Sequence, residues 1–132
     1  VYSGFMASPE QMDSAARCIR NCLAPGGLAV VDPVLGDNGI LDPTMTPEMV
    51  EKMRWLISCA DIITPNITEV ALLLDEPFTP RISPEEIKGR LRGHVRARAA
   101  LARRHPAGAY PRQPVRARLD LQMPDHGRGR LL

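Results

Sequence analysis

The stretch LAVVDPVLGDN, residues 28–38, constrains the fold of this chain more than any other. Residues 28–32 are apolar up to a final carboxylate, Asp32, and include two β-branched valines, which is typical of a short buried strand. Pro33 ends the ladder because proline has no amide donor. Residues 36–38 then predict a tight polar loop. A carboxylate at the carboxyl end of a buried strand, followed by a glycine loop, lies where open α/β sheets bind their ligands.

Size and composition allow one domain with one core. The chain has 132 residues, of which 44% are apolar, and no run of 18 apolar residues predicts a membrane span. Three cysteines cannot form a fully paired disulfide framework, which favours a reducing, cytoplasmic setting. The sequence lacks an initiator methionine, and Val1 and Tyr2 resemble the end of a strand. We therefore expect a fragment.

Strand and helix signals alternate along the first two thirds of the chain. A strand remnant at Tyr2 precedes a helix that begins at Ser8, and the strand of residues 28–32 follows. Further helix starts follow at Thr46, Asn66 and Ser83. A second short strand is predicted at Asp61–Thr64. This alternation predicts an α/β fold, a partial doubly wound parallel sheet with flanking helices and right-handed crossovers.

The charge balance changes sharply near residue 93. Residues 1–92 hold 8 Lys and Arg against 13 Asp and Glu, whereas residues 93–132 hold 9 against 2 and contain no lysine. We interpret residues 1–92 as a domain's central part, and residues 93–132 as an Arg/Ala/Pro-rich tail that is irregular or poorly packed. Residues 97–104 of the tail could be helical by propensity, but no apolar stripe of core-forming width accompanies them. One hypothesis is that the tail is a GC-rich gene segment translated in a shifted frame.

Polar side chains follow two predicted strands. Asp32 and Asp37 come after the first, and Thr64, Asn66 and Glu69 come after the second. Because Glu69 lies three residues beyond Asn66, both can face the same side of the first helical turn, whose amides favour anions. Carboxylates beside such a turn are suited to hold Mg²⁺ against a phosphate, since Mg²⁺ prefers oxygen ligands and keeps several waters.

Three segments carry a resemblance to a known family. YSGF, DPVLGDNG and ADIITPNITEVALLL resemble pyridoxal kinases of the ribokinase-like superfamily, in the same order and with similar spacing over residues 1–80. DPVLGDNG followed by TPNxxE is a specific pair. Hydroxymethylpyrimidine kinases share DPV and TPNxxE but usually differ in the loop that reads GDNG here. The pyridoxal kinase interpretation is therefore preferred, with a hydroxymethylpyrimidine (phosphate) kinase fragment as the alternative.

The resemblance implies transfer of the γ-phosphoryl group of ATP to the hydroxymethyl group of pyridoxal, pyridoxine or pyridoxamine, with Mg²⁺. It also implies a homodimer in the intact family. Carried onto this chain, it places the ATP phosphates near Asp32, Asp37, Thr64 and Glu69. The same resemblance assigns Mg²⁺ to Asp37, Asn66 and Glu69, of which Asn66 and Glu69 act through water. Phe5 falls where the family often has an aromatic residue against the pyridine ring.

One expected element is missing from the sequence. The family carries a glycine-rich anion hole ending in an aspartate that acts as the general base, and no GxGD-like element follows Glu69. We therefore identify no catalytic general base, and we expect little or no activity from this chain alone.

Two noncatalytic alternatives remain open. The arginine-rich tail could bind nucleic acid, but it has one aromatic residue, Tyr110, and no recognisable motif, so we expect no nucleic-acid partner. The chain could also be a noncatalytic subunit that dimerises through exposed sheet edges.

Overall fold

The computed structural model describes residues 1–102 and 118–119. Strands and helices alternate through most of this part. In chain order they are β1 Tyr2–Ser3, α1 Pro9–Cys22, β2 Val30–Val31, β3 Gly36–Asp37, β4 Ile40–Leu41, α2 Pro47–Leu56, a 3-10 turn Ile57–Cys59, β5 Ile62–Ile63, α3 Ile67–Leu74, α4 Pro84–Ala102 and β6 Arg118–Leu119. No helix in this part of the chain is long and apolar enough to cross a membrane.

The main sheet is parallel, as the alternating pattern predicts. Its strand order is β1-β2-β5-β6, and every pair is parallel. β2 lies between β1 and β5, with Val30 opposite both Tyr2 and Ile62. The carboxyl ends of these three strands therefore meet at one edge of the sheet, which brings the residues after β2 and β5 together.

The core lies between the sheet and the helices. Helix α1 packs on α2, α2 on α3, and α3 on α4. Each of the first two helices buries an apolar stripe, since Met12 and Ile19 of α1 and Met53 and Leu56 of α2 are at most 5% exposed. Val31, in the centre of the sheet, is fully buried.

Three predicted helix starts are confirmed by their caps. In each, the cap hydroxyl accepts the amide N–H three residues later, from Gln11 to Ser8 at 3.4 Å, Met49 to Thr46 at 3.2 Å and Glu86 to Ser83 at 3.2 Å. The side chain of Gln11 makes a further contact at the start of α1. Its Oε1 accepts the amide of Ala7 at 2.7 Å, so the side chain holds the residue before the cap.

Two local predictions around the central strand need correction. Strand β2 covers only Val30–Val31, and Leu28 is 55% exposed rather than buried. The polar loop expected at residues 36–38 is a hairpin formed by β3 and β4. Asn38 and Gly39 turn it with φ of 52° and 78°, the left-handed values that a two-residue hairpin turn requires.

The packed part of the chain continues past the change in composition at residue 93. Helix α4 runs through Ala102, and Val95 is 2% exposed. Ile87, Leu91 and Val95 are spaced four apart, so one apolar stripe crosses the boundary. The expectation of poor packing is therefore wrong at Val95. Helix α4 also includes the first part of the segment with helical propensity, as far as Ala102. The rest of the predicted tail, residues 103–117 and 120–132, lies outside the described residues.

Candidate functional site

A cleft of about 450 Å³ opens beside the ends of β2 and β5. Its lining comes from the residues after β2, the hairpin and the first turn of α3, namely Asp32, Val34, Gly36, Asp37, Ile40, Leu41, Asp42, Pro43, Asn66 and Glu69. Four of these ten residues carry carboxyl groups, and none is Lys, Arg or His. This lining is acidic and offers oxygen atoms as ligands.

Asp32 is held by one side chain from β1 and one from the residue that follows β5. Its Oδ2 accepts the Tyr2 hydroxyl at 3.2 Å, and its Oδ1 accepts the Thr64 hydroxyl at 3.1 Å. The charge of Asp32, and then the hydrogen bond to it, raise the pKa of the Tyr2 phenol. The carboxylate is thus fixed at the middle of the sheet edge, where it faces the cleft.

Asn66 and Glu69 form a reciprocal cap on α3. Asn66 Oδ1 accepts the Glu69 amide at 2.9 Å, and Glu69 Oε2 accepts the Asn66 amide at 2.7 Å. Both side chains also reach the segment after β2. Glu69 Oε1 accepts the Leu35 amide at 3.3 Å, and Asn66 Nδ2 donates to the Gly36 carbonyl at 2.9 Å. The cap therefore joins α3 to the start of the hairpin.

Glu69 combines burial with this hydrogen bonding. It is 4% exposed, and burial raises its pKa to about 7. The amides of Asn66 and Leu35 oppose that shift, whereas the charges of Asp32 and Asp37 add to it. A cation in the cleft would stabilise the ionised form and lower the pKa of Glu69.

The hairpin carries Asp37 to the cleft. Asp37 Oδ1 accepts the Asn38 amide at 2.8 Å, and Oδ2 accepts the Asn38 side-chain amide at 3.3 Å. The tip is also tied to α3, because the Gly39 amide donates to Thr68 Oγ1 at 2.8 Å. A side chain at Gly36 would collide with the carbonyl oxygen of Ile40, so the two strands lie closer there than a Cβ permits.

The structure brings together most of the residues singled out in the sequence. Asp32, Asp37, Asn66 and Glu69 line one cleft, and Thr64 reaches it by its hydrogen bond to Asp32. Phe5 does not line this cleft. It is 56% exposed, in the segment that follows β1.

Asp42 also lines the cleft and was not expected from the sequence. Its Oδ1 accepts both the amide and the hydroxyl of Thr44, at 2.8 and 2.6 Å, and these bonds lower the pKa of Asp42. The Asp-Pro-Thr segment is a turn signal, but only the pairing of β3 with β4 brings it to the cleft.

The donor set fits magnesium in one particular way. Within residues 1–102, no group of three or more His, Cys, Asp or Glu side chains could hold a metal ion by itself. Mg²⁺ commonly takes one or two protein carboxylates and fills its other positions with water and phosphate oxygens. The cleft therefore suits Mg²⁺ that arrives with a phosphate ligand, rather than a closed protein cage.

Proteins that are similar in sequence and structure share this fold. The sequence matches the phosphomethylpyrimidine kinase family over residues 1–106. A presumed phosphomethylpyrimidine kinase from Bacteroides thetaiotaomicron is 44% identical, with a TM-score of 0.66 over 74% of this chain and 33% of that one. An orthorhombic crystal form under the same name contains pyridoxal. Pyridoxal kinase from Lactobacillus plantarum is 34% identical, with a TM-score of 0.64 over 70% and 33%.

These similarities cover part of each larger protein. The chain spans about a third of the length of the similar solved structures. No curated protein matches it. The family match covers most of the sequence and includes every residue that lines the cleft. The chain therefore belongs to the phosphomethylpyrimidine kinase family and has the α/β fold of the ribokinase-like pyridoxal kinases.

Proposed function

We propose that this chain is the central part of an ATP-dependent kinase that phosphorylates the hydroxymethyl group of pyridoxal or a related vitamer. In this proposal the cleft binds the magnesium-bound phosphates of ATP. The observation that carries the proposal is the convergence of Asp32, Asp37 and Glu69 on one cleft, in a chain of this family.

The charge of the cleft explains why a cation is required. ATP is a polyanion, and the lining has four carboxyl groups and no basic residue. Like charges repel, and the repulsion is stronger near a protein surface than in bulk water. Binding of the nucleotide here therefore depends on a divalent cation between the phosphates and the carboxylates, and Mg²⁺ supplies that charge neutralisation when bound.

The contacts of each side chain define its proposed role. Asp37 is exposed on the hairpin and would hold Mg²⁺ directly or through one water. Glu69 is only 4% exposed and both its oxygens accept backbone amides, so it would act through water, and Asn66 would keep it in place. Asp32 would orient a water molecule that is bound to the phosphates. The Thr64 hydroxyl would either hold the Asp32 carboxylate in place, as it does here, or turn to a phosphate oxygen.

Two similar structures support a B6 vitamer as the acceptor. One is a pyridoxal kinase, and the 44% identical structure has a form that contains pyridoxal. The GDNG loop of the hairpin also resembles that of pyridoxal kinases. Phe5 would contact the pyridine ring. The family's name favours one alternative acceptor, hydroxymethylpyrimidine or its phosphate.

Nucleotide binding by the full chain tests the first part of the proposal. Isothermal titration with ATP should show binding in the presence of Mg²⁺ and little binding in EDTA. Asp37→Asn should weaken the magnesium-dependent binding by about tenfold, which is about 1.4 kcal/mol. Glu48→Gln removes one charge from an exposed site outside the cleft, and it should bind as the wild type does. Equal binding in Mg²⁺ and in EDTA would overturn the proposal.

Acceptor binding tests the second part. With Mg²⁺ and a nonhydrolysable ATP analogue present, pyridoxal should bind more tightly than hydroxymethylpyrimidine, and Phe5→Ala should weaken pyridoxal binding. Tighter binding of hydroxymethylpyrimidine would favour the alternative. With ATP itself we expect no phosphorylated product above background, because no GxGD element supplies a general base. Rapid product formation would contradict that expectation.

A further inference from the structure

The hairpin of residues 36–41 contributes much of the cleft but has little stability of its own. Each strand has two residues, and only two residue pairs join them. An isolated two-stranded hairpin is marginal in water even when it is longer. Its position at the cleft must therefore come from contacts with the rest of the chain.

Those contacts come mainly from the first turn of α3. Thr68 is 3% exposed, and its Oγ1 accepts the Gly39 amide at 2.8 Å. At the base of the hairpin, Asn66 Nδ2 donates to the Gly36 carbonyl at 2.9 Å. The Phe78 ring covers the tip, since a Cβ placed on Gly39 would lie 2.8 Å from its Cδ1 atom.

Thr68 is the most informative of these residues because it does not line the cleft. Any effect of Thr68 on a ligand in the cleft is therefore indirect, and its hydrogen bond to the Gly39 amide offers a route through the hairpin. Its hydroxyl oxygen lies 29 residues along the chain from the amide that it accepts, so the bond joins two separate elements. The bond is partly buried, since Thr68 is a buried residue whereas Gly39 stands at the exposed tip. Loss of the Thr68 acceptor would leave the Gly39 amide open to solvent and remove one tie between the tip and α3.

We propose that Thr68 is a positioning residue that holds the hairpin tip in place and thereby sets where the Asp37 carboxylate stands in the cleft. The part of this inference that concerns a ligand rests on the proposed nucleotide function. Its structural part, the clamp between Thr68 and the tip, stands on the geometry alone.

Two substitutions at Thr68 separate the hydroxyl from the shape of the side chain. Thr68→Val keeps the shape and removes the acceptor, whereas Thr68→Ser keeps the acceptor. Hydrogen exchange of backbone amides, followed by NMR on the full chain, reports the effect. In Thr68→Val the Gly39 amide should exchange about fivefold faster or more, as expected for one lost hydrogen bond. The Met53 amide in α2 should be unchanged, and Thr68→Ser should restore the Gly39 rate.

Each contrary result overturns the clamp. An unchanged Gly39 rate in Thr68→Val would show that the bond does not hold the tip. Equal acceleration at Met53 would show a general loss of stability, and failure of Thr68→Ser to restore the rate would show that the hydroxyl is not the cause.

Nucleotide titration then tests the link to the cleft. If the wild type binds Mg²⁺ and ADP, Thr68→Val should weaken that binding by about threefold or more, and Thr68→Ser should restore it. Unchanged binding together with faster Gly39 exchange would overturn the positioning role. Absence of nucleotide binding in the wild type would overturn the proposed function, while the exchange comparison would still decide whether Thr68 clamps the hairpin.

Discussion

Glu69 predicts a specific dependence of stability on pH. Burial raises its pKa in the folded chain from the usual 4.5 to about 7. Between these two values the folded chain keeps a proton that the unfolded chain has released. Raising the pH through this window therefore favours the unfolded chain, and the free energy of unfolding falls.

The size of the effect follows from the same two values. Each pH unit of the interval corresponds to about 1.4 kcal/mol. The interval from 4.5 to about 7 therefore corresponds to a loss of about 3 kcal/mol from this one group. That is a large part of the stability of a small domain.

Urea denaturation of the full chain at several pH values between 4.5 and 7.5 measures this loss. Glu69→Gln removes the titration, so the stability difference between wild type and Glu69→Gln should change by about 3 kcal/mol across the window. Glu48 lies exposed in the first turn of α2, and Glu48→Gln should keep the wild-type pH dependence. A constant difference between wild type and Glu69→Gln would refute the reasoning. Saturating Mg²⁺ and nucleotide should shift the loss to a lower pH or abolish it.

Three further substitutions test the packing of the fold, one at the cleft and two away from it, each by urea denaturation. Gly36→Ala should cost about 1–3 kcal/mol because its Cβ would overlap the opposite strand, and a neutral result would place that strand elsewhere. Arg54→Ala should cost about 1–3 kcal/mol, since Arg54 donates to the carbonyls of Leu73 at 3.0 Å and Leu72 at 2.7 Å at the end of α3. Arg54→Lys should recover part of that loss, and equal stability of the two variants would contradict this role. Leu56→Ala, at a fully buried site, should cost about 2–5 kcal/mol, and a loss below 1 kcal/mol would show that the site is loosely packed.

Local patterns were sufficient to predict the sheet and the helix starts. An apolar run that ends in a polar residue and a proline marks the end of β2 and of β5, and cap residues mark the starts of α1 and α2. These signals depend only on neighbours in sequence. The meeting of two strand ends at one edge then follows from parallel pairing, which the alternation of elements indicates.

The features that were missed depend on distant contacts. Asn38-Gly39 is a recognisable hairpin turn, but strands of two residues are too short to show an alternating pattern. The burial of Glu69 follows from packing against a segment 34 residues away, which no local pattern contains. The tail was misjudged at Val95, because composition was given more weight than the four-residue spacing that continues the α4 stripe.

Locating the residues at which a divalent cation and a nucleotide bind together tests the proposed site most directly. Mn²⁺, an oxygen-preferring ion that can replace Mg²⁺, broadens the NMR signals of nearby amides. With ADP present, Mn²⁺ should broaden the amides of residues 36–41 and 66–69 more strongly than those of α2. Broadening confined to other parts of the chain, or equal broadening without ADP, would contradict the proposed site.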